Sequence, residues 1–154
     1  MRKYIYVLFT LSTAAILFYF TTFKLPIVIE HKKGSVRSGT DLQGERWSQT
    51  MYCDYGYFPS IMGKDGKHLD AYVDPDSFPI LLIIGRIPND CKIFKITQLN
   101  SLTGKLDEHK IMIGFDNIFE AKAMYLCHYP DDWAGYGGIE EIRKNDLLNY
   151  ENRD

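Results

Sequence analysis

An uncharged run near the start of the chain does most to constrain its architecture. Residues 4–23 contain no charged side chain, and a helix of that length, at about 1.5 Å per residue, spans the roughly 30 Å hydrocarbon core of a bilayer. Basic residues flank the run on both sides, as in an uncleaved anchor or a secretory signal. The run is longer than the usual signal core, so we prefer a transmembrane anchor over residues 1–23, with a signal segment as the alternative. The flanking charges nearly balance, so the sequence does not predict the membrane side.

The remaining residues, 24–154, have the composition of one globular domain. The chain is 45% hydrophobic and 25% charged, which suits one ordinary core. After residue 23 there are 16 basic and 20 acidic residues, a formal charge of −4, so we expect no nucleic-acid partner. The widely spaced Cys53, Cys91 and Cys127 give neither a disulfide framework nor a zinc motif. The sequence leaves the oligomeric state open.

The pattern of the domain changes from short strands to helices. Apolar and β-branched segments between turn residues predict strands at 25–30, 47–53, 71–73, 80–84 and 92–98. Residues 117–128 instead have helical spacing, with Asp116 as the predicted N-cap, and residues 139–150 give a second helical pattern. We therefore expect an α+β fold: a small OB-like β-barrel with one or two packed helices, preceded by the transmembrane helix.

The stretch 54–70 carries a mixture of aromatic rings, acids and lysines that neither a core nor a solvated loop needs. Asp65 and Gly66 form a turn pair, so a tight hairpin whose acid caps its own backbone explains Asp65. It does not explain Asp70, which precedes the apolar segment 71–73 and is costly to bury unless a cation meets it. Mg²⁺ is a natural candidate because it prefers oxygen ligands and binds together with substrate phosphates.

Two tyrosines and the order of four motifs point to a family. Tyr55 and Tyr57 share one side of an extended segment, where their hydroxyls could donate to phosphate. The run YGYFPSIMGKDGKHLDAYV resembles the soluble inorganic pyrophosphatase signature, in which Y-G-Y/F precedes D-G-D-x-x-D and a hydrophobic strand. With KGSVRSGTD, TGKLDEHKIMIGFD and YPDDWAGYGGIEE in this order, the chain most resembles the pyrophosphatase-like domain of phage and mobile-element polyvalent proteins. The resemblance covers residues 25–142.

The resemblance implies an OB-like barrel that hydrolyses pyrophosphate to two phosphates with a divalent metal, expected to be Mg²⁺. It implies catalytic roles for Tyr55 and Asp70, with Tyr55 near the metal-bound oxygens, and Lys67, which stands within the same acidic motif, is the third candidate catalytic residue. The metal ligands that it implies are Asp65, Asp70, Asp107 and Glu30, and the substrate ligands are Arg37, Lys110 and Tyr57. Lys32, Lys33 and His109 are alternatives to Arg37 and Lys110 as phosphate ligands.

Two positions depart from the family pattern. Lys67 stands where the motif has its middle acid, and Asn100 where an acid usually precedes the T-G-K turn. Two unit charges ~4 Å apart interact by ~4 kcal/mol at an effective dielectric constant of about 20, so Lys67 would oppose metal loading or bind phosphate at a vacated metal position. We therefore retain three hypotheses: a membrane-anchored pyrophosphatase with a modified site, a weakened relative that binds pyrophosphate, a nucleotide or a protein, and a membrane-tethered accessory protein whose barrel is only a scaffold.

Overall fold

The computed structural model of the protein describes residues 25–41, 43–76, 87 and 90–150. Its elements in chain order are β1 (Val28–His31), β2 (Val36–Thr40), β3 (Arg46–Thr50), β4 (Asp54–Met62), β5 (His68–Val73), β6 (Ile93–Leu99), β7 (Leu106–Ile113), α1 (Ile118–Leu126), β8 (Tyr136–Ile142) and α2 (Lys144–Leu148). The predicted anchor and the strand predicted at 80–84 lie outside the described residues. Within the described ranges, no helix is both long and apolar enough to cross a membrane.

Six strands form one open sheet in the order β1-β4-β5-β7-β6-β8. Strands β5 and β7 are parallel, and the other neighbours are antiparallel. Strands β2 and β3 pair with each other as a separate hairpin. In the described part of the chain, β1 and β8 are the sheet edges and do not pair, so the expected closed barrel is wrong.

Each face of the sheet has its own hydrophobic core, because successive side chains of a strand point to opposite faces. One core contains Ala71 and Ile111 of the sheet and is covered by Leu147 of α2. The other contains Tyr72 and Met112, and Ala121 and Tyr125 of α1 pack on it. A sheet covered on both faces buries its apolar side chains without closing into a barrel.

The hairpin of β4 and β5 confirms the turn predicted at Asp65 and Gly66. Gly66 has a φ of 78°, which favours glycine, and Asp65 Oδ1 accepts a hydrogen bond from the backbone N–H of Lys67 at 3.1 Å. Farther along β4, a Cβ atom at Gly56 would lie 1.9 Å from the carbonyl oxygen of Val28. The glycine between the two tyrosines is therefore required by the close approach of β1.

The first predicted helix is found, with a different cap. Helix α1 covers Ile118–Leu126, and the Oδ1 atom of Asn117 accepts hydrogen bonds from the N–H groups of Phe119 and Glu120 at 3.0 Å each. Asn117 is therefore the N-cap, and the predicted cap, Asp116, is the residue before it.

The second helix predicted over residues 139–150 is wrong for most of its length. Residues Tyr136–Ile142 form β8, which pairs with β6, and α2 covers only Lys144–Leu148. A Cβ atom at Gly137 would lie 3.0 Å from the Thr97 carbonyl oxygen, so this glycine permits close strand pairing. The backbone hydrogen bonds offered by β6 outweigh the local helical pattern, as tertiary context often does.

Candidate active site

A cluster of polar side chains surrounds Lys110 at one end of the sheet face that α1 covers. The register pairs Asp70 of β5 with Lys110 of the neighbouring parallel strand β7. The Lys110 ammonium donates to Asp70 Oδ2 and, at 2.8 Å, to Glu108 Oε1. Tyr55 of β4 donates its hydroxyl hydrogen to the same Asp70 oxygen. Three neighbouring strands therefore contribute to one connected group.

The separate β2–β3 hairpin contributes Arg37 to this group. Its Nη2 atom donates to the Tyr55 hydroxyl oxygen at 3.1 Å. The guanidinium carbon lies 4.2 Å from the centroid of the Tyr55 ring and 5.2 Å from that of Trp47, distances that suit cation–π attraction. Arg37 is thus held against the main sheet by both a hydrogen bond and ring contacts.

Burial and neighbouring charges set the protonation states of the cluster. Burial alone would lower the pKa of Lys110, whose side chain is 5% exposed, but Tyr55, Asp70 and Glu108 together raise that pKa above its ordinary value. Burial raises the pKa of Tyr55 well above its ordinary range. Burial also raises the pKa of Glu108, against the opposing charge of Lys110. At neutral pH, Lys110 is therefore a cation and Tyr55 keeps its proton.

Gln98 of β6 connects this cluster to α1. Its Nε2 atom donates to Asp107 at 3.2 Å and to Glu108 at 2.8 Å. Its Oε1 atom accepts from the hydroxyl groups of Tyr125 at 2.7 Å and Tyr129 at 3.0 Å. The acidic end of β7 is thereby tied to the aromatic core around the helix.

The structure brings together four residues that the sequence predicts for the site: Arg37, Tyr55, Asp70 and Lys110. Tyr57 is the strand partner of Asp70, but its ring stacks on His68, with the ring centroids 5.0 Å apart. It therefore lies beside the cluster rather than in its hydrogen-bonded chain.

The other predicted residues have different surroundings. Asp65 and Lys67 pair with each other in the β4–β5 turn at 3.7 Å, and Glu30 is exposed on β1. Asp107 contacts Gln98. Among the alternative phosphate ligands, Lys32 is exposed, Lys33 pairs with Asp76, and His109 bonds to the Tyr150 hydroxyl.

Glu108 is an acid of the cluster that the sequence motifs did not predict. The two-residue alternation of side chains along a strand is the signal that could have predicted it. Glu108 lies two residues before Lys110, so both side chains share one face of β7. Asp107 lies three residues before Lys110 and would face the other side of a regular strand. A register shift in the β6–β7 pairing at Gln98 and Leu99 interrupts that alternation next to Asp107.

The predicted four-ligand metal set is not assembled in the described part of the chain. Among the described residues, no three His, Cys, Asp or Glu side chains lie close enough to hold a metal ion, so Asp65, Asp70 and Asp107 do not converge. Asp70 and Glu108 both direct an oxygen at the Lys110 ammonium, which fills the position between those oxygens, so a metal ion held by the two carboxylates would lie beside Lys110. Mg²⁺ commonly binds through one or two carboxylates, waters and phosphate oxygens, and this pair suits that mode.

Comparisons with known proteins identify the family. The model of the family described as Inorganic Pyrophosphatase matches residues 19–152. The chain therefore belongs to the inorganic pyrophosphatase family, a class of pyrophosphatase-type hydrolases. The family match confirms the resemblance in the motifs, and it does not identify the form found in phage and mobile-element polyvalent proteins.

Among solved structures, an inorganic pyrophosphatase from Coxiella burnetii is similar at 19% sequence identity, covering 76% of this chain and 84% of that chain with a TM-score of 0.39. No significant match was found among curated proteins.

Proposed function

We propose that this protein hydrolyses inorganic pyrophosphate to two phosphates with a divalent cation, Mg²⁺. The observation that carries the proposal is the connected chain of Arg37, Tyr55, Asp70, Lys110 and Glu108. It combines two cations and a phenol, which can bind phosphate oxygens, with carboxylates that can bind a metal ion or accept a proton. The family membership supports the same reaction.

The charge of the cluster supports the need for an added cation. When Asp70, Asp107 and Glu108 are ionised, their three negative charges exceed the two positive charges of Arg37 and Lys110. Pyrophosphate is itself an anion, and a site with net negative charge repels it. One divalent ion reverses the sign of the site, so a bound metal would favour binding of the substrate.

The chain's own residues take distinct roles in this proposal. A divalent ion held by Asp70 and Glu108 would supply positive charge to the phosphate oxygens and acidify water. Arg37 and Lys110 would bind phosphate oxygens and neutralise the charge that develops on the leaving phosphate. Tyr55, which keeps its proton, would hold Asp70 in place, and Asp70 would accept a proton from the attacking water.

Phosphate release from pyrophosphate by the purified full chain, in detergent and with Mg²⁺, tests the proposal. Lys110→Met should lower kcat/KM at least about a hundredfold, since mutagenesis of comparable charge-stabilising groups gives losses of 10²–10³. The matched control is Lys95→Met, because Lys95 also makes a lysine–carboxylate pair, with Glu140 at 2.6 Å, but lies outside the cluster. Its activity should stay within about twofold of wild type, because this half-exposed pair lies outside the cluster. A folded wild-type protein that releases no phosphate would overturn the proposal.

A second candidate is a weakened relative that binds pyrophosphate, a nucleotide or a protein partner without turnover. It is favoured by the Lys110 ammonium, which already pairs with two carboxylates, and by Lys67 at a position where the resemblance implies an acid. Calorimetry separates the two candidates. Pyrophosphate binding with Mg²⁺ but without phosphate release would support the second candidate.

We also propose that residues 1–23 anchor the domain in a membrane. The support is the uncharged run of residues 4–23, which has the length of a membrane span. Membranes from expressing cells should retain the protein during washing with alkaline carbonate. Release of the full chain into the wash would overturn the anchor.

A further inference from the structure

Gln98 uses its whole side-chain amide at the boundary between the aromatic core and the acidic cluster. The residue is buried, with 9% of its surface exposed. An amide offers two N–H donors and one oxygen with two acceptor positions. In Gln98, both donors are used by Asp107 and Glu108, and the oxygen accepts from Tyr125 and Tyr129.

The chemistry of these neighbours allows one orientation of the amide. Ionised carboxylates only accept hydrogen bonds, so the Nε2 atom must face Asp107 and Glu108. Tyrosine hydroxyls donate to the Oε1 atom, and burial raises the pKa of Tyr125, which therefore stays protonated. Tyr125 belongs to α1 and Tyr129 follows it, so the helix region fixes the direction in which the amide donates.

The hydrogen bonds from Gln98 matter because the two acids that accept them carry like charges. Asp107 and Glu108 are consecutive and repel each other when ionised, and Glu108 must also keep its contact with Lys110 at 2.8 Å. Two N–H donors from one rigidly held amide can keep both carboxylates in place despite the repulsion. Without them, the ion pair with Lys110 would remain to hold Glu108, and Asp107 would lose its contact with Gln98.

We infer that Gln98 is a positioning residue that holds Asp107 and Glu108 beside Lys110 and couples their position to Tyr125 and Tyr129. The inference rests on the proposed function, in which Glu108 helps to hold the divalent ion. Gln98 itself touches neither the substrate nor the reacting atoms. Its effect on metal binding is transmitted through the carboxylates, as for other residues that orient metal ligands.

The test compares Gln98→Leu with Gln43→Leu in the full chain. Both variants exchange glutamine for an apolar residue of similar size, but Gln43 is exposed in the β2–β3 turn. Calorimetry without substrate gives the Mg²⁺ affinity, and steady-state kinetics gives kcat and KM separately. Gln98→Leu should weaken Mg²⁺ binding and lower kcat by about 10–100-fold, with KM for pyrophosphate within about threefold of wild type, whereas Gln43→Leu should match wild type.

The paired variant Tyr125→Phe/Tyr129→Phe tests the coupling. It removes the two hydroxyl donors and leaves Gln98 intact, so Mg²⁺ affinity should fall in the same direction as in Gln98→Leu but by a smaller factor. A purely structural role would lower the thermal unfolding midpoint and leave Mg²⁺ affinity and kcat of the folded protein unchanged, which would overturn the inference.

The calorimetric result distinguishes failure of the inference from failure of the proposed function. A wild-type protein that binds Mg²⁺ but releases no phosphate refutes the pyrophosphatase activity, and a loss of that binding in Gln98→Leu still supports the inference. A wild-type protein that binds no Mg²⁺ overturns the inference as well.

Discussion

Two lysine–aspartate pairs occur in and next to the β4–β5 hairpin, and they differ in burial. Lys110 and Asp70 have side-chain exposures of 5% and 22%. In the turn, the Lys67 side chain is 85% exposed and lies 3.7 Å from Asp65, which is 21% exposed, so the two pairs differ in the exposure of the lysine and not of the aspartate. In the sequence, both aspartates belong to the same motif. The structure places one in a connected cluster with Tyr55 and the other in a turn that it caps.

The difference teaches that burial, rather than the presence of opposite charges, decides what such a pair can do. An exposed pair contributes about 0–1 kcal/mol, because water and salt screen it. Removing one partner of a buried pair costs about 3–5 kcal/mol, because the remaining charge stays buried without its counter-ion. Only the buried pair also has the fixed geometry that catalysis requires.

Substituting each aspartate by asparagine tests this comparison. Asp70→Asn should reduce phosphate release at least about a hundredfold and lower the free energy of unfolding by about 3 kcal/mol, since Lys110 loses a charged partner. Asp65→Asn keeps an oxygen that can accept from the Lys67 N–H, so its activity should stay within about threefold and its stability within about 0.5 kcal/mol of wild type. Phosphate release and urea unfolding of both variants provide the measurements.

An equal loss of activity in the two variants would contradict the proposed difference between the two pairs. If Asp65→Asn lost activity as strongly as Asp70→Asn while both remained folded, the turn would be part of the site in the working enzyme. Asp65 would then have the metal-ligand role that the family resemblance implies for it.

Two histidines show the same difference between a buried and an exposed side chain. Buried His128 has partners at both ring nitrogens: Nε2 accepts from the Tyr52 N–H at 3.0 Å, and Nδ1 donates to the Met124 carbonyl at 2.7 Å. His68, in contrast, is an exposed residue of β5. A protonated His128 would place an N–H against the Tyr52 N–H, so the fold requires the neutral ring.

We therefore expect His128 to make the fold less stable in mild acid. Burial lowers the pKa of His128 in the folded protein, so between the ordinary value of about 6.5 and the lower folded value the unfolded chain binds more protons. The contribution is complete above about pH 6.5 and is lost as pH falls towards the folded pKa. His128→Gln should reduce this slope in urea unfolding between pH 5.5 and 7.5, at a cost of about 1 kcal/mol at pH 7.5 from weakened hydrogen bonds.

His68→Gln, which removes an exposed histidine, is the matched control. Burial also lowers the pKa of His109, which gives a slope of the same sign, so His128→Gln should reduce the slope rather than abolish it. An unchanged slope in His128→Gln would show that protonation of this ring is not coupled to folding.

Sequence patterns predicted those parts of the fold that local chemistry determines. The β4–β5 hairpin follows from the turn pair at Asp65, and α1 follows from its helical spacing. Strand β8 does not, because its charged residues match a helical period and its strand form depends on pairing with β6. Closure of the sheet is also a property of distant pairings, which explains why a barrel was expected and an open sheet is found.

Some residues of the candidate site could likewise be predicted from sequence motifs, and others could not. Arg37, Tyr55, Asp70 and Lys110 were identified from motifs, and the structure joins them. Gln98 was missed because its hydrogen-bond partners come from β7, α1 and the segment after α1, and no local pattern unites them. Glu108 could have been found by applying the two-residue period backwards from Lys110.

The substitution Lys67→Asp tests the exposed pair that Lys67 forms with Asp65. Lys67→Asp restores the acid that the family motif carries, but it does so on an exposed turn and next to Asp65, so we expect stability to fall by at most about 1 kcal/mol. Phosphate release should change less than about twofold, since solvent and salt screen the charge of an exposed side chain. Lys64→Asp makes the same charge change in the same turn and controls for a general electrostatic effect. A tenfold gain in Mg²⁺ affinity with Lys67→Asp, and not with Lys64→Asp, would mean that the turn contacts the metal ion when the ion is bound. The difference between the buried and the exposed pair would then apply only to the metal-free protein.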